Sequence, residues 1–252
     1  MDATVLLGGE LSVGRIGLGT NRIDDDAESR AILRAALERG VNFIDTADIY
    51  SGGISESVIG TSIGDESGVV IATKGGYHGA SPQRMAESID ASLRRLGAGS
   101  IDLYYLHRPD PQYAIEQSVE AILEARRAGK IRHVGLSSVS VEQIQTIEQL
   151  TPIAAVQNEY NLNNTKHNDV IDYCTQRGIA FVPFFPLRGA SGATVVAQRL
   201  GATPHQVVLA AMLKRSPILV PIPGTRSVDH LMQNLAAMQL ELTDAEVAEL
   251  LG

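Results

Sequence analysis

The chain has 252 residues, 44% of them hydrophobic and 20% charged, with a formal net charge of −8. That length suffices for a large core in one α/β barrel domain, and the composition is that of a globular rather than a disordered chain. The acidic balance argues against a general affinity for nucleic acid or anionic membranes, and the single cysteine, Cys174, excludes an intrachain disulfide and a cysteine metal cage.

The opening Met1-Asp2-Ala3-Thr4 has no basic segment and only a short apolar run follows it, so no secretion signal is expected. No stretch approaches the roughly 18 uninterrupted apolar residues of a membrane span. A cytoplasmic protein is the expectation. Residues 4–13 hold two short β-type runs around Gly8-Gly9, which predicts a hairpin capping the bottom mouth of a barrel. Strands are then predicted at 15–18, 41–44, 69–73, 101–106, 131–136, 153–156, 179–184 and 218–222. Helices are predicted between and after them at 27–38, 56–63, 82–96, 114–128, 141–150, 169–177, 205–215 and 228–237. Ser81 and Pro82 read as the cap and first position of one of these. A last short helix over 243–251 carries a capping box from Thr243 and Glu246.

The predicted strands are nearly continuous in apolar residues, as expected of parallel strands covered on both faces. Eight strand-helix units predict a closed (β/α)8 TIM barrel, in one domain spanning 1–252. An open dinucleotide-binding sheet would need G-x-G-x-x-G after its first strand. Gly17-Leu18-Gly19-Thr20-Asn21-Arg22 supplies only two of the three glycines, and no phosphate loop of the G-x-x-x-x-G-K-[ST] type occurs.

Four polar residues follow three of the apolar runs: Asp45 and Tyr50 after 41–44, Lys74 after 69–73, and His107 after 101–106. The strands are consecutive, so their ends lie side by side on one face of the barrel. Together a carboxylate, a phenol, an amine and an imidazole can deliver a proton to a carbonyl oxygen. A phenol titrates near 10, and an ammonium at Lys74 is expected to lower the pKa of Tyr50 and let it act as an acid. Asp45 would keep Lys74 charged, and His107 would polarise the carbonyl.

The segment from Gly40 to Tyr50, GVNFIDTADIY, resembles the aspartate and tyrosine segment of the aldo-keto reductase family. Ser55-Glu56 with Ile59-Gly60, the run IATK ending at Lys74, and DLYYLH ending at His107 are similar to its next motifs. GKIRHVGLS ending at Ser137, QNEYN from Gln157, and IPGTR ending at Arg226 follow in the family's order. The resemblance runs from about Leu11 to Leu250. It implies an eight-stranded barrel and NADPH-dependent reduction of small-molecule aldehydes or ketones; no metal-ligating residue is expected.

The same resemblance implies a set of cofactor contacts. Ser137 and Gln157 would bond the nicotinamide carboxamide and Phe184 would stack on the ring. Ser138 stands where most relatives carry asparagine. Gly19, Thr20 and Asp45 would also contact the cofactor, and Leu187 and Gly189 would meet the pyrophosphate. Gly224, Thr225, Arg226, His230, Gln233 and Asn234 would hold the adenosine end. His230 and Gln233 stand where relatives often carry arginine and glutamate, so Arg226 becomes the main cation for a 2′-phosphate, and NADH is the alternative cofactor. Tyr77 and Arg108, with Tyr50 and His107, are the expected substrate contacts, and they favour a polar or anionic carbonyl compound such as a sugar derivative or pyridoxal. Arg108 has a second reading, as a structural salt-bridge partner of Asp110. Two other functions are weighed: a cofactor-binding regulatory subunit with little turnover, and a metal-dependent barrel hydrolase. The intact tetrad opposes the first. The six histidines form no His-x-His pair, which opposes the second. No helix face stands out as an oligomer interface.

Overall fold

In the computed structural model, residues 4–64 and 66–251 are described; the opening residues 1–3, read above for a targeting signal, lie outside them. Strands β1 (Thr4–Leu7) and β2 (Leu11–Gly14) form the predicted antiparallel hairpin. Its alternating inward residues Val5, Leu7, Leu11 and Val13 join one apolar cluster with Phe43, Val70, Leu103, Ala155, Val182 and Val220 from inside the sheet. The tip at Gly8 lies against the His133 ring, and Asn42, just ahead of the second barrel strand, bonds both Gly14 N and Ser12 O. The hairpin therefore plugs the mouth where the strands begin, opposite their C-terminal ends.

Seven parallel strands follow in sequential order: β3 (Leu18–Gly19), β4 (Phe43–Asp45), β5 (Val70–Gly75), β6 (Ile101–Leu106), β7 (Ile131–Ser137), β8 (Ala155–Gln157) and β9 (Ala180–Phe181). The expected strand at 15–18 is displaced toward its end, because Arg15 is buried and its guanidinium donates to the carbonyls of Leu213, Ser216 and Leu219. The expected strand at 218–222 closes the ring by single bridges, Phe181 with Leu219 on one side and Gly19 with Gly224 on the other. Pro217, Pro221 and Pro223 lack the amide hydrogens that a ladder needs. Backbone bonds from Phe181 N to Ile218 O, Val220 N to Phe181 O and Gly17 N to Pro221 O complete the closure.

The helices cover the outside: α1 (Ala27–Glu38), α2 (Ile54–Ile63), α3 (Pro82–Leu96), α4 (Ile115–Arg127), α5 (Val141–Glu148), α6 (Asn168–Arg177), α7 (Thr194–Leu200), α8 (Pro204–Arg215), α9 (Val228–Ala236) and α10 (Asp244–Leu251). Ser81 caps α3 by accepting from Arg84 N, and Thr243 with Glu246 forms the reciprocal box ahead of α10. The seven residues of α7 were unexpected. Their run of Val195-Val196 in a Gly- and Ala-rich stretch carries no cap signal that sequence reasoning could use. A second, larger apolar layer between strands and helices holds Ile32, Leu33, Ile59, Met85, Ile122, Ile144, Ile171 and Val207. Among the described residues no helix is long and apolar enough to cross a membrane.

Candidate active site

The C-terminal ends of β4, β5 and β6 bring the four candidate residues together. Lys74, fully buried, donates to Asp45 Oδ1 at 2.6 Å and to the Thr46 carbonyl at 2.7 Å. The amide of Gln157 donates to the other Asp45 oxygen at 2.8 Å. Tyr50 begins a short 3-10 turn, Tyr50–Gly53, and the Lys74 ammonium lies 5.3 Å from its ring centroid. The His107 ring stands edge-on to Tyr50, with centroids 6.2 Å apart.

The electrostatics follow from burial. Desolvation alone would lower the pKa of Lys74, but attraction to Asp45 and to Tyr50 outweighs it and holds the ammonium charged. Burial pushes the Asp45 carboxyl up, while Lys74 and the Gln157 amide pull against it. The expected depression of Tyr50 is corrected here. Burial of the phenol and the nearby Asp45 charge together exceed the pull of Lys74, so its pKa is raised above 10. Burial is the largest of these effects, and the pull of Lys74 comes second. His107 is lowered to about 3 by burial and by the charges of Lys74 and Arg108, which makes it a neutral imidazole. Its Nδ1 is buried without a partner among the described residues. A buried lone pair costs less than a buried orphan N–H, so the proton belongs on Nε2.

Asp45, Tyr50 and His107, with Lys74 buried behind them, face a cavity of 450 Å³ lined also by Gly19, Thr20, Tyr77, Arg108, Ser137, Ser138, Gln157, Phe184 and Gly224 from the candidate set. Asn21, Ile49, Phe185, Pro186 and Ile222 also line it and were not singled out from the sequence. Their positions beside Thr20, Tyr50 and Phe184 are the only signal that could have found them. Three non-glycine residues with positive φ rim this region: Ser51 (48°), Ser138 (60°) and Phe185 (51°). Strain of this kind persists only where the surroundings hold it. For Ser138 the holder is Asn158, whose side-chain amide bonds both the N–H and the carbonyl of Val139.

Thr20 lines the wall and its hydroxyl donates to the Asp45 carbonyl at 2.8 Å. Leu187, Gly189, Thr225, Arg226, His230, Gln233 and Asn234 lie beyond the cavity lining. The backbone N–H groups of Leu187 and Gly189 donate to no acceptor among the described residues, and a Cβ at Gly189 would fall 2.3 Å from Asn163 Oδ1. His230 is exposed and Asn234 buried. Arg226 is not idle: one nitrogen bridges Asp26 at 2.6 Å and Glu28 at 2.7 Å, both at the start of α1. The alternative salt bridge of Arg108 with Asp110 does not form. Asp110 accepts from the amides of Ala80 and Gln112, and Arg108 lies 4.3 Å from the Tyr77 ring centroid. Among the described residues no group of three or more His, Cys, Asp or Glu is placed to hold a metal ion.

A closed parallel barrel with a charged lysine, a phenol and a neutral imidazole at its strand ends defines a class of oxidoreductase, and comparison with known proteins agrees. The sequence model of the aldo/keto reductase family matches residues 15–195 and 190–251. The chain belongs to that family. It is 38% identical to an uncharacterised oxidoreductase of Schizosaccharomyces pombe, across 96% of this chain and 87% of the relative. It is 35% identical to pyridoxine 4-dehydrogenase of Escherichia coli, across 100% and 99%. Among solved structures, an aldo-keto reductase from Klebsiella pneumoniae in complex with NADPH superposes with a TM-score of 0.87 at 30% identity, covering 99% of this chain and 94% of that one.

Proposed function

We propose that the chain works as one barrel domain that reduces an aldehyde or ketone to an alcohol with NADPH, taking the proton from Tyr50. The observation that carries this reading is the buried Lys74–Asp45 pair beside Tyr50, with neutral His107 facing the same cavity. When bound, the cofactor supplies a hydride to the carbonyl carbon. The Nε2 hydrogen of His107 polarises the carbonyl oxygen and fixes its position. Tyr50, protonated at neutral pH as any phenol is and held so more firmly by burial, gives its hydrogen to the oxygen as that oxygen gains charge. Lys74 then faces the phenolate, and its ammonium stabilises the charge until solvent restores the proton. Asp45 and the Thr46 carbonyl hold that ammonium in place.

The residues present fit the dinucleotide. Ser137 and Gln157 line the cavity beside the half-buried ring of Phe184. The free amides of Leu187 and Gly189 suit the pyrophosphate, and Arg226 would meet a 2′-phosphate. Its two carboxylate partners make NADH the alternative. The kinship with pyridoxine 4-dehydrogenase, with the polar rim of Tyr77 and Arg108, supports pyridoxal or another small polar carbonyl compound as substrate. The experiment is a single turnover of bound NADPH with such aldehydes. Replacing the phenol in Tyr50→Phe is expected to slow hydride transfer by roughly 10²-fold or more, with NADPH affinity retained by fluorescence titration. Full turnover in that variant, or bound NADPH that stays reduced with every aldehyde in the wild type, overturns the proposal. The second outcome would favour a cofactor-binding regulatory subunit.

A further inference from the structure

A second cavity of 500 Å³ adjoins the first, sharing Tyr77 and Arg108 as a common wall. Its other walls include His78, Arg84, Asp110 and Tyr113, from the loops that follow β5 and β6 and from the start of α3. We propose that it is an oxyanion subsite, which selects carbonyl substrates bearing a carboxylate or phosphate a few carbon atoms from the reacting carbonyl. The inference rests on the carbonyl-reductase reading above and names the substrate class of that site.

Charge carries the argument. Among the described residues neither Arg84 nor Arg108 closes a salt bridge with a carboxylate, although both attract Asp110 at longer range; Arg84 donates instead to the His78 carbonyl at 2.9 Å. Asp110 is the acidic residue of this wall, and its two oxygens are engaged by the amides of Ala80 and Gln112. Two guanidinium groups against one carboxylate leave the cavity cationic in a chain whose net charge is −8, so anionic substrates are drawn to this mouth. The first turn of α3, capped by Ser81, opens on the same space and adds the positive end of a 15-residue helix.

Geometry sets the length of the substrate. The Tyr77 ring centroid is 5.0 Å from that of His107 and 4.3 Å from the Arg108 guanidinium carbon. The guanidinium is therefore no farther from the imidazole than those two legs laid end to end. Because Arg108 lies over the Tyr77 ring, the in-plane N–H edge of the guanidinium is left to meet an oxyanion. Tyr77 and Tyr113, 36% and 38% exposed, supply flat apolar walls for the carbon spacer between the carbonyl and the anion.

The test compares matched pairs within each enzyme. The carboxylate arm uses 4-carboxybenzaldehyde against 4-carbamoylbenzaldehyde, and the phosphate arm uses glyceraldehyde 3-phosphate against glyceraldehyde. In the wild type with NADPH, kcat/KM for at least one charged member is expected to exceed that of its neutral partner by roughly tenfold or more. Arg108→Gln should bring that ratio close to one, chiefly through KM, and Arg84→Gln should reduce it in part. The arm that responds identifies the anion. A ratio near one in both arms of the wild type, or one unchanged by Arg108→Gln, overturns the subsite while leaving carbonyl reduction intact. Calorimetric titration of the product 4-carboxybenzyl alcohol against its carbamoyl counterpart, with NADP+ present, reads the subsite without turnover. Tighter binding of the charged alcohol that Arg108→Gln abolishes supports it even if reduction fails; equal binding of the two, or none, overturns it.

Discussion

Asp45 serves two neighbours at once, holding Lys74 on one oxygen and the Gln157 amide on the other. Its burial makes both contacts obligatory, since an isolated carboxylate there would be severely penalised. His107 shows the same physics with the opposite sign. Its pKa falls from 6.5 to about 3 in the folded chain, so between those values the unfolded state binds more protons than the native one. Its contribution to stability is intact above 6.5 and is lost as pH falls from there toward 3, at up to about 1.4 kcal/mol per pH unit. Urea titrations across that window should show a shallower acid loss in His107→Gln, and kcat should show no ionisation of this imidazole near neutrality. An equal acid slope in both proteins would refute the neutral assignment. At the far end of the site, Arg226 is shared between Asp26 and Glu28. Arg226→Ala should remove most of the preference for NADPH over NADH, read as the ratio of their dissociation constants. Neutralising both acids, with Asp26→Asn keeping the α1 cap, should shift the ratio toward NADPH. An unchanged ratio in Arg226→Ala would mean that the 2′-phosphate lies elsewhere.

At the scale of elements, helix contacts decide what propensity cannot. Gly60 sits inside α2, where alanine would ordinarily gain about 1 kcal/mol. A Cβ there would fall 2.4 Å from the Leu96 carbonyl oxygen at the end of α3. Backbone cannot yield as a side chain can, so Gly60→Ala is expected to lower stability by about 1–3 kcal/mol, seen as a lower urea midpoint with an unchanged m value. A higher midpoint would mean that α2 and α3 separate easily. The same pairing buries the Glu56 carboxylate, which accepts from Thr73 at 2.5 Å and from Arg95 at 2.6 Å. The motif Ser55-Glu56 is thus a strut between β5 and α3, and Ser55 bonds Thr20 behind the site.

On the scale of the whole molecule, the two ends of the barrel do different work. Leu7 of the hairpin is fully buried against the barrel interior, at the opposite mouth from Tyr50. Leu7→Ala should cost about 2–5 kcal/mol of stability while kcat, measured well below the melting temperature, stays within about twofold. A large loss of kcat with native stability would show the two ends to be coupled. The barrel, its helices other than α7 and the candidate tetrad were legible from the chain because they rest on local chemistry: apolar runs of strand length, cap residues such as Ser81 and Thr243, and polar residues placed just past strand ends. The final strand was legible only in part, since its prolines turn a ladder into bridges that depend on what flanks it. Three matters belonged to the tertiary structure alone. They are the raised pKa of Tyr50, the capture of Arg226 by α1, and the second cationic cavity beside His107. Each is set by which charges meet across long stretches of chain and by how much water burial removes, and neither quantity is written in the order of neighbouring residues.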